Sequence, residues 1–163
     1  MKQAIIITIK NKEIDKIRKK YDPYHKKVEG HITLIYSFQK FNQKELYKHI
    51  RNSLKDYKKF SVILNTLKKS KKEYYLYLLI KEKETIIRLR KKLNSKIFSE
   101  NKRMGKYIPH LTLGVFKNKR DIDDALNHLK RERINIKFKI NSIQLRTLTK
   151  DDEIKSTKNF MLK

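Results

Sequence analysis

The sequence contains two copies of a His-x-Thr-Leu motif, one beginning at His31 and the other at His110. Each copy opens a run of apolar and β-branched residues, which favours a strand. Alternate side chains of a strand share a face, so His31 and Thr33 are predicted to point the same way. The same alternation groups His110 with Thr112. Each strand would therefore present an imidazole and a hydroxyl on one face and aliphatic side chains on the other.

Two histidines that face one another across a gap can divide acid and base chemistry. An unperturbed imidazole has a pKa of about 6.5, so near neutral pH one ring can be neutral while the other is protonated. The neutral ring can take a proton from an attacking water, and the protonated ring can give one to a leaving oxygen. Threonine hydroxyls can donate hydrogen bonds to a phosphoryl group, whose charge strengthens each bond. This scheme needs no metal and no cofactor, and it leaves open which histidine is the acid.

The motif residues also have simpler interpretations. A single His-x-Thr on a strand is usually ordinary structure, but two copies at equivalent places of a repeat favour a functional role. A metal site is disfavoured because neither motif carries a second strong ligand, and threonine binds metals poorly. The other histidines have weaker claims: His49 and His128 are expected on exposed helix faces, and His25 in a loop near the cleft.

The elements around the motifs repeat. Each half is predicted to run strand, helix, basic loop, histidine strand, helix, strand, and the motifs lie 110 − 31 = 79 residues apart. Two copies of one unit suggest a pseudo-twofold pair that brings both histidine faces to a shared cleft. The predicted fold class is α/β (α+β), with two sheets flanking a central cleft. We expect a single bilobal domain, 1–163, with repeat halves of about 1–70 and 71–163.

Hydrophobic periodicity predicts the strands and helices of this repeat. Strands are predicted at 3–10, 31–38, 60–67, 74–80 and 134–140, with another after a shift of parity at Asn141-Ser142 and a short last one at 159–162. Asn11, Asn42 and Asp121 are predicted to cap three helices. A fourth helix is predicted from about 84 to 98. The charged turn at 68–73 is predicted to be a hairpin between the halves.

The composition limits the class of protein. Lysine and arginine number 43 and aspartate and glutamate 17, a net charge of +26, which attracts polyanions such as nucleic acid. A solvated lysine coat without a partner is the alternative. Cysteine is absent, so disulfides and thiolate chemistry are excluded. Neither a signal peptide nor a membrane span is apparent, so we expect a soluble, cytoplasmic monomer with no membrane partner.

Basic and aromatic residues near the motifs could form a rim that contacts a nucleotide. Aromatic rings can stack on a base and cations can steer the phosphate backbone. Core packing and solvated loops are the alternatives. The rim candidates are Tyr24, Lys26, Lys27, Arg103, Lys106, Tyr107 and Phe116.

The paired motifs resemble those of a known family. His31-Ile32-Thr33-Leu34 and Pro109-His110-Leu111-Thr112-Leu113 are similar to the paired His-x-Thr motifs of the 2H phosphoesterase superfamily. The resemblance is strongest to its 2′-5′ RNA ligase-like proteins and cyclic phosphodiesterases, and in element order it extends over nearly the whole chain. It implies a bilobal fold whose central cleft is lined by both motifs. One departure is Gly30, which precedes the first histidine where many relatives have proline.

The same resemblance implies roles for the motif residues. His31 and His110 would be the acid–base pair, and Thr33 and Thr112 would bind the phosphate. The implied chemistry is metal-free and acts on a 2′-linked or 2′,3′-cyclic phosphate of RNA or a small nucleotide. Hydrolysis and 2′-5′ ligation both remain open. The alternative is a non-catalytic, basic RNA-binding module with the same fold.

Overall fold

The computed structural model describes residues 1–39, 41–70, 73–95 and 106–163. Within them, strands and helices follow the order that the repeat predicts. The strands are β1 (Lys2–Thr8), β2 (His31–Gln39), β3 (Phe60–Lys69), β4 (Tyr75–Ile80), β5 (His110–Val115), β6 (Ile136–Ile140), β7 (Ser142–Leu148) and β8 (Ile154–Met161). The helices are α1 (Lys12–Tyr21), α2 (Gln43–Leu54), α3 (Glu84–Leu93) and α4 (Lys119–Arg131).

All eight strands belong to one antiparallel sheet, in the order β6-β3-β4-β5-β2-β1-β7-β8. The two histidine strands, β2 and β5, lie at its centre and pair at Ile32 and Leu111. The α+β class is confirmed. The two expected sheets, however, are joined through this central pairing into a single sheet, because β2 and β5 lie next to each other and not on opposite walls.

The two four-stranded groups of this sheet are not the two halves of the sequence. β3 crosses over to pair with β4 of the second half, and β6 pairs with β3 at the edge. The late strands β7 and β8 extend the group that begins with β1. The groups are β6-β3-β4-β5 and β2-β1-β7-β8, so each contains strands from both halves, and they join through β5 and β2 at the centre.

Burial confirms that the two faces of the histidine strands differ. Ile32 and Leu34 are fully buried, as are Leu111 and Leu113. The histidines and threonines between them are only half-buried. α1 packs against β5, α3 against β2, and α4 against β3 and β4. The helices thus cover the aliphatic side of the sheet, and the motif side chains point to the opposite face.

The helices are short, and three of the four have a side-chain cap at the N-terminus. They have 10 to 13 residues. In the described part of the chain, none is long and apolar enough to cross a membrane. Asn11 and Asn42 cap α1 and α2 as predicted, each side chain accepting two backbone N–H bonds. The predicted cap of α4 was wrong: Asn118 is the cap, and the backbone N–H of Asp121 donates to its side chain at 2.9 Å. Sequence reasoning placed the start three residues late because acidic side chains also favour the first turn.

Several predicted ends also shift. The predicted break at Asn141 is confirmed, since β6 ends at residue 140 and β7 begins at residue 142. The last strand is longer than predicted and begins at Ile154. α3 ends at Leu93, and positions 96–98 of its predicted course lie outside the described residues.

Candidate active site

The four motif side chains meet where the two central strands pair. The strands pair at the residue that follows each histidine. Antiparallel register then sets His31 opposite Thr112. By the same register, His110 lies opposite Thr33. The histidines are thus diagonal neighbours, for which Cα atoms are typically about 7–8 Å apart. By this register, each imidazole lies beside a hydroxyl of the other strand.

Both rings make the same contact with the backbone. Nδ1 of His31 lies 2.8 Å from the carbonyl oxygen of Glu29, and Nδ1 of His110 lies 2.8 Å from that of Ile108. A carbonyl oxygen only accepts, so Nδ1 carries the hydrogen and donates in each case. In the neutral ring the lone pair is then on Nε2. Among the described residues, no hydrogen bond occupies Nε2 of either ring, which leaves it available to take or give a proton.

The surroundings of His31 favour its neutral form, because they lower its pKa. Burial lowers its pKa from the ordinary value, because a charged imidazole loses hydration. The positive charges of Arg146 and Arg18 lower the pKa further, and so does His110, while the hydrogen bond to Glu29 opposes these effects. The result is a ring that is unprotonated near neutral pH and has a free Nε2. This is the state that a general base requires.

Arg146 anchors a polar network beside His31 that sequence reasoning missed. This residue of β7 is 4% exposed, and its Nη2 donates to Glu29 Oε2 at 2.6 Å and to Thr8 Oγ1 at 3.1 Å. Thr8 is the residue of β1 that pairs with His31, and its hydroxyl donates to Gln144 at 2.7 Å. Polar residues alternate with Ile143 and Leu145 in this strand. This alternation predicts a polar face on β7, but it does not predict that the face adjoins His31.

The other side of the site, beside His110, is an open cavity of about 380 Å³. Its walls carry three tyrosines, a leucine and several cations: Tyr36, Tyr77, Tyr107, Leu79, Arg90, Lys68, Lys69 and Lys106. The ring of Tyr77 packs against that of His110, with 4.3 Å between centroids. A single heterocyclic base suits a cavity of this size and aromatic lining.

Tyr107 forms part of the cavity wall and ties two segments together. Its hydroxyl donates to the backbone carbonyl of Thr33 at 2.8 Å, and the Arg90 guanidinium lies 4.4 Å from its ring centroid. Burial raises the pKa of Tyr107, so its hydroxyl stays protonated and donates. The residue thereby joins the segment before β5 to the strand of the other motif. Of the rim candidates, Tyr107 and Lys106 line the cavity that contains His110.

The other rim candidates lie elsewhere. Tyr24 and Phe116 line a separate depression that includes neither histidine of the motif pair. The ring of Phe116 packs 5.9 Å from that of a tyrosine of α1. Lys26 and Lys27 are exposed in the turn after α1. Arg103 lies outside the described residues.

The remaining histidines make local contacts. His49 is half-buried and hydrogen-bonds the carbonyl of Leu93 at 2.8 Å, which links α2 to α3. Nδ1 of His25 lies 3.0 Å from the carbonyl of Asp22, and His128 lies 3.3 Å from Glu132. Within the ranges that the structure describes, histidine and acidic side chains form no group of three or more that could hold a metal ion.

Comparison with protein families gives one match. Residues 8–152 match the model of the 2′-5′ RNA ligase superfamily, which covers most of the chain and both motifs. No curated protein matches the sequence.

Solved structures resemble this fold at low sequence identity. LigT of E. coli in its apo form has 16% identity, a TM-score of 0.57, and coverage of 99% of this chain and 94% of its own. Usb1 of Kluyveromyces marxianus has 12% identity, a TM-score of 0.65, and coverage of 99% and 98%. TT0787 of Thermus thermophilus has 12% identity, a TM-score of 0.61, and coverage of 98% and 97%. These likenesses show a common fold over the full length of the chain.

Proposed function

Because this chain belongs to the 2′-5′ RNA ligase superfamily, we propose that it is a metal-independent phosphodiesterase. Its substrates are 2′,3′-cyclic phosphates or 2′-5′ phosphodiester linkages, at RNA ends or in small nucleotides. The observation that carries the proposal is the central strand pairing, in which each imidazole lies beside a hydroxyl of the other strand. Two proton-transfer groups and two neutral donors suit a single phosphoryl group.

In hydrolysis of a 2′,3′-cyclic phosphate, His31 is the base and His110 is the acid. Nε2 of His31 takes a proton from water as the water oxygen bonds to phosphorus. The bond from phosphorus to one ribose oxygen breaks, and that oxygen takes the proton from Nε2 of His110. The product is a phosphomonoester beside a free hydroxyl. The lowered pKa of His31 supports this assignment, because the ring stays unprotonated near neutral pH.

Thr33 and Thr112 bind the non-bridging oxygens of the phosphate. Negative charge increases on these oxygens as the nucleophile attacks, so a fixed donor aimed at each of them stabilises the transition state more than the ground state. Both threonines are half-buried on strands, which supports a fixed geometry for their hydroxyls.

The base of the substrate nucleotide occupies the cavity beside His110. Tyrosine walls can stack on any base, and stacking contributes about 1–3 kcal/mol per base. On the His31 side, Arg146 forms a polar network with Thr8, Glu29 and Gln144. LigT of E. coli has been solved with 3′-AMP, with ATP, with NADP+ and with phosphate, which supports a nucleotide ligand here. A base in this cavity brings the ribose oxygens toward His110, in agreement with its role as the acid.

The same arrangement supports ligation. A 5′-hydroxyl of a second RNA can replace water as the nucleophile, with its proton passing to His31. The bond from phosphorus to O3′ then breaks, O3′ takes the proton from His110, and a 2′-5′ linkage remains. Product analysis separates the two outcomes, because hydrolysis releases a phosphomonoester and ligation lengthens the RNA.

The test is turnover of a 2′,3′-cyclic nucleotide and of a cyclic-phosphate-ended RNA in EDTA. We expect turnover in the chelator, loss of it in His31→Ala and in His110→Ala, and retention in the matched control His128→Ala. Failure to turn over either substrate, or indifference to both motif substitutions, contradicts the proposal. Loss of activity in EDTA that zinc or magnesium restores contradicts the metal-independent part.

A second candidate function is RNA binding without catalysis, and the net charge of +26 favours it. Filter binding over a range of salt concentrations tests it, since affinity for single strands falls with log salt at a slope of about −0.7 per phosphate contact. A steep slope that histidine substitutions leave unchanged, together with no turnover, supports binding alone. Intact histidines and threonines in both motifs favour the enzyme.

A further inference from the structure

Behind the backbone contact of His31 lies an ion pair between side chains, and the described residues show no such pair behind that of His110. In both motifs the residue two positions before the histidine supplies the carbonyl that accepts from Nδ1. Before His31 that residue is Glu29, whose carboxylate accepts from Arg146 Nη2 at 2.6 Å. Before His110 it is Ile108, whose exposed aliphatic side chain offers no polar atom. The two histidines therefore make the same backbone contact, but only the residue that accepts from His31 is also held by an ion pair of its side chain.

The ion pair behind Glu29 has one deeply buried partner. The Arg146 side chain is 5% exposed, whereas that of Glu29 is 50% exposed. Nη2 of Arg146 also donates to Gln144 at 3.1 Å, so the guanidinium is held on more than one side. A pair with a buried member is screened less by solvent and salt than a surface pair. On the solvent side, Lys10 approaches the same carboxylate at 3.7 Å but is 77% exposed.

We propose that Glu29 and Arg146 are positioning residues that fix the orientation and the Nδ1–H tautomer of His31. The proposal rests on the proposed function, in which Nε2 of His31 is the base. Arg146 restrains the side chain of Glu29 through the ion pair. This restrains the backbone of Glu29, whose carbonyl accepts from Nδ1 of His31. If residue 29 shifts, the ring loses its only described partner and Nε2 turns away from the phosphate.

The charges around His31 reinforce this role. The positive charges of Arg146 on β7 and Arg18 on α1, and that of protonated His110 on β5, each disfavour a proton on His31. Arg18 is compensated by Asp22 in a buried pair at 2.5 Å. Arg146 is compensated by the carboxylate of Glu29, on the segment before β2. The pair therefore sets both the geometry of His31 and the balance of charge beside it.

The test compares Arg146→Gln and Glu29→Gln, with Lys10→Gln as a matched control that changes an exposed partner of the same carboxylate. Nitrogen NMR of the histidine rings reports the tautomer and the pKa of His31. The pH profile of kcat/KM is measured on a 2′,3′-cyclic nucleotide. Arg146→Gln removes a positive charge and leaves a carboxylate, so it should raise the pKa of His31. Glu29→Gln leaves the guanidinium uncompensated, so it should lower that pKa.

In both variants we expect kcat to fall roughly tenfold to a hundredfold, because a misplacement of about 1 Å can cost 10²-fold. Lys10→Gln should leave kcat and the tautomer unchanged. Opposite pKa shifts are a readout that loss of packing alone would not give. An unchanged tautomer with unchanged or parallel pKa shifts in the two variants overturns the proposal.

The design separates this test from that of the proposed function and keeps it decisive if one variant does not fold. The NMR readout needs no turnover, so an inactive protein whose His31 responds as expected contradicts the phosphodiesterase and not the positioning pair. If Arg146→Gln fails to fold, Glu29→Gln still decides the question, because it leaves Thr8 and Gln144 to satisfy the guanidinium.

Discussion

The two sides of the cleft begin from the same motif and differ in what surrounds it. His31 and His110 each donate from Nδ1 to a carbonyl at 2.8 Å. Beside His31, a buried arginine, a carboxylate and two polar side chains form a closed network. Beside His110, tyrosines enclose an open cavity of about 380 Å³. The same strand geometry thus adjoins a buried polar network on one side and an open cavity lined with tyrosines and cations on the other.

The difference between the two sides shows how two copies of one motif can take different roles. The repeat sets the direction of each imidazole, because that depends on the strand and on the residue two positions before. The neighbouring strands decide the surroundings: β1 and β7 beside β2, and β4 and β3 beside β5. The proposed division into a base and an acid follows from those neighbours and not from the motif.

The largest expected effect tests that division directly. His31→Gln and His110→Gln should each lower kcat on a cyclic nucleotide by about 10²–10⁴-fold, the usual contribution of general acid–base catalysis. A p-nitrophenyl phosphodiester has a leaving group that needs no proton, so His110→Gln should recover most of its activity on it and His31→Gln should not. Steady-state kinetics on both substrates give the answer. Recovery in His31→Gln instead would reverse the assignment.

Unlike the two histidine variants, the two threonine variants should behave alike in their kinetics. Each hydroxyl lies opposite the histidine of the other strand, so Thr33→Val and Thr112→Val should lower kcat to a similar extent. Loss of one donor to a developing oxyanion costs about 10²–10³-fold. Thr66→Val, at an exposed site on β3, is the control. A large effect of one threonine only would show that the phosphate is held by one motif.

The cavity should matter only for substrates that carry a base. Tyr36→Leu removes one aromatic wall, and stacking of about 1–3 kcal/mol corresponds to a rise in KM of roughly 5–150-fold. On a p-nitrophenyl phosphodiester, which has no base, the KM of this variant should equal that of the unsubstituted protein. An equal rise in KM on both substrates would place the base elsewhere.

The smallest expected effect is a displacement of the pH profile. A general base is active when unprotonated, and activity falls as the pH drops through its pKa. Burial lowers the pKa of His31, so the acid limb of kcat/KM should have its midpoint below about 6.5, the ordinary histidine value. Titration of His31 by NMR identifies the group. A midpoint at or above the ordinary value would contradict a base held neutral by burial.

Local features of the fold were predictable because they depend on neighbours in sequence. Asn11 and Asn42 cap their helices through contacts two or three residues away. The error at Asp121 was also local: Asn118 and Asp121 lie within one turn, and each can satisfy the other. The family resemblance is confirmed by the match over residues 8–152.

The surroundings of the motifs were not predictable in this way. Arg146 reaches Glu29 from 117 residues away, and Tyr77 packs on His110 only because β4 pairs with β5. Phe116, in contrast, is close to the second motif in sequence but does not line its cavity. Its ring packs against Tyr21 of α1, in a space that a Cβ atom at position 114 would fill if Gly114 were replaced.

By itself, the sequence determined the order of elements, the alternation that separates His31 and Thr33 from their aliphatic neighbours, and the duplication of the motif. These follow from periods of two and of 3.6 residues, which act over a few positions. Only the tertiary structure decided which strands lie beside each histidine, and so which ring adjoins the buried Arg146 network and which opens on the tyrosine-lined cavity. Pairing between distant strands depends on burial over the whole sheet, and no local pattern encodes it.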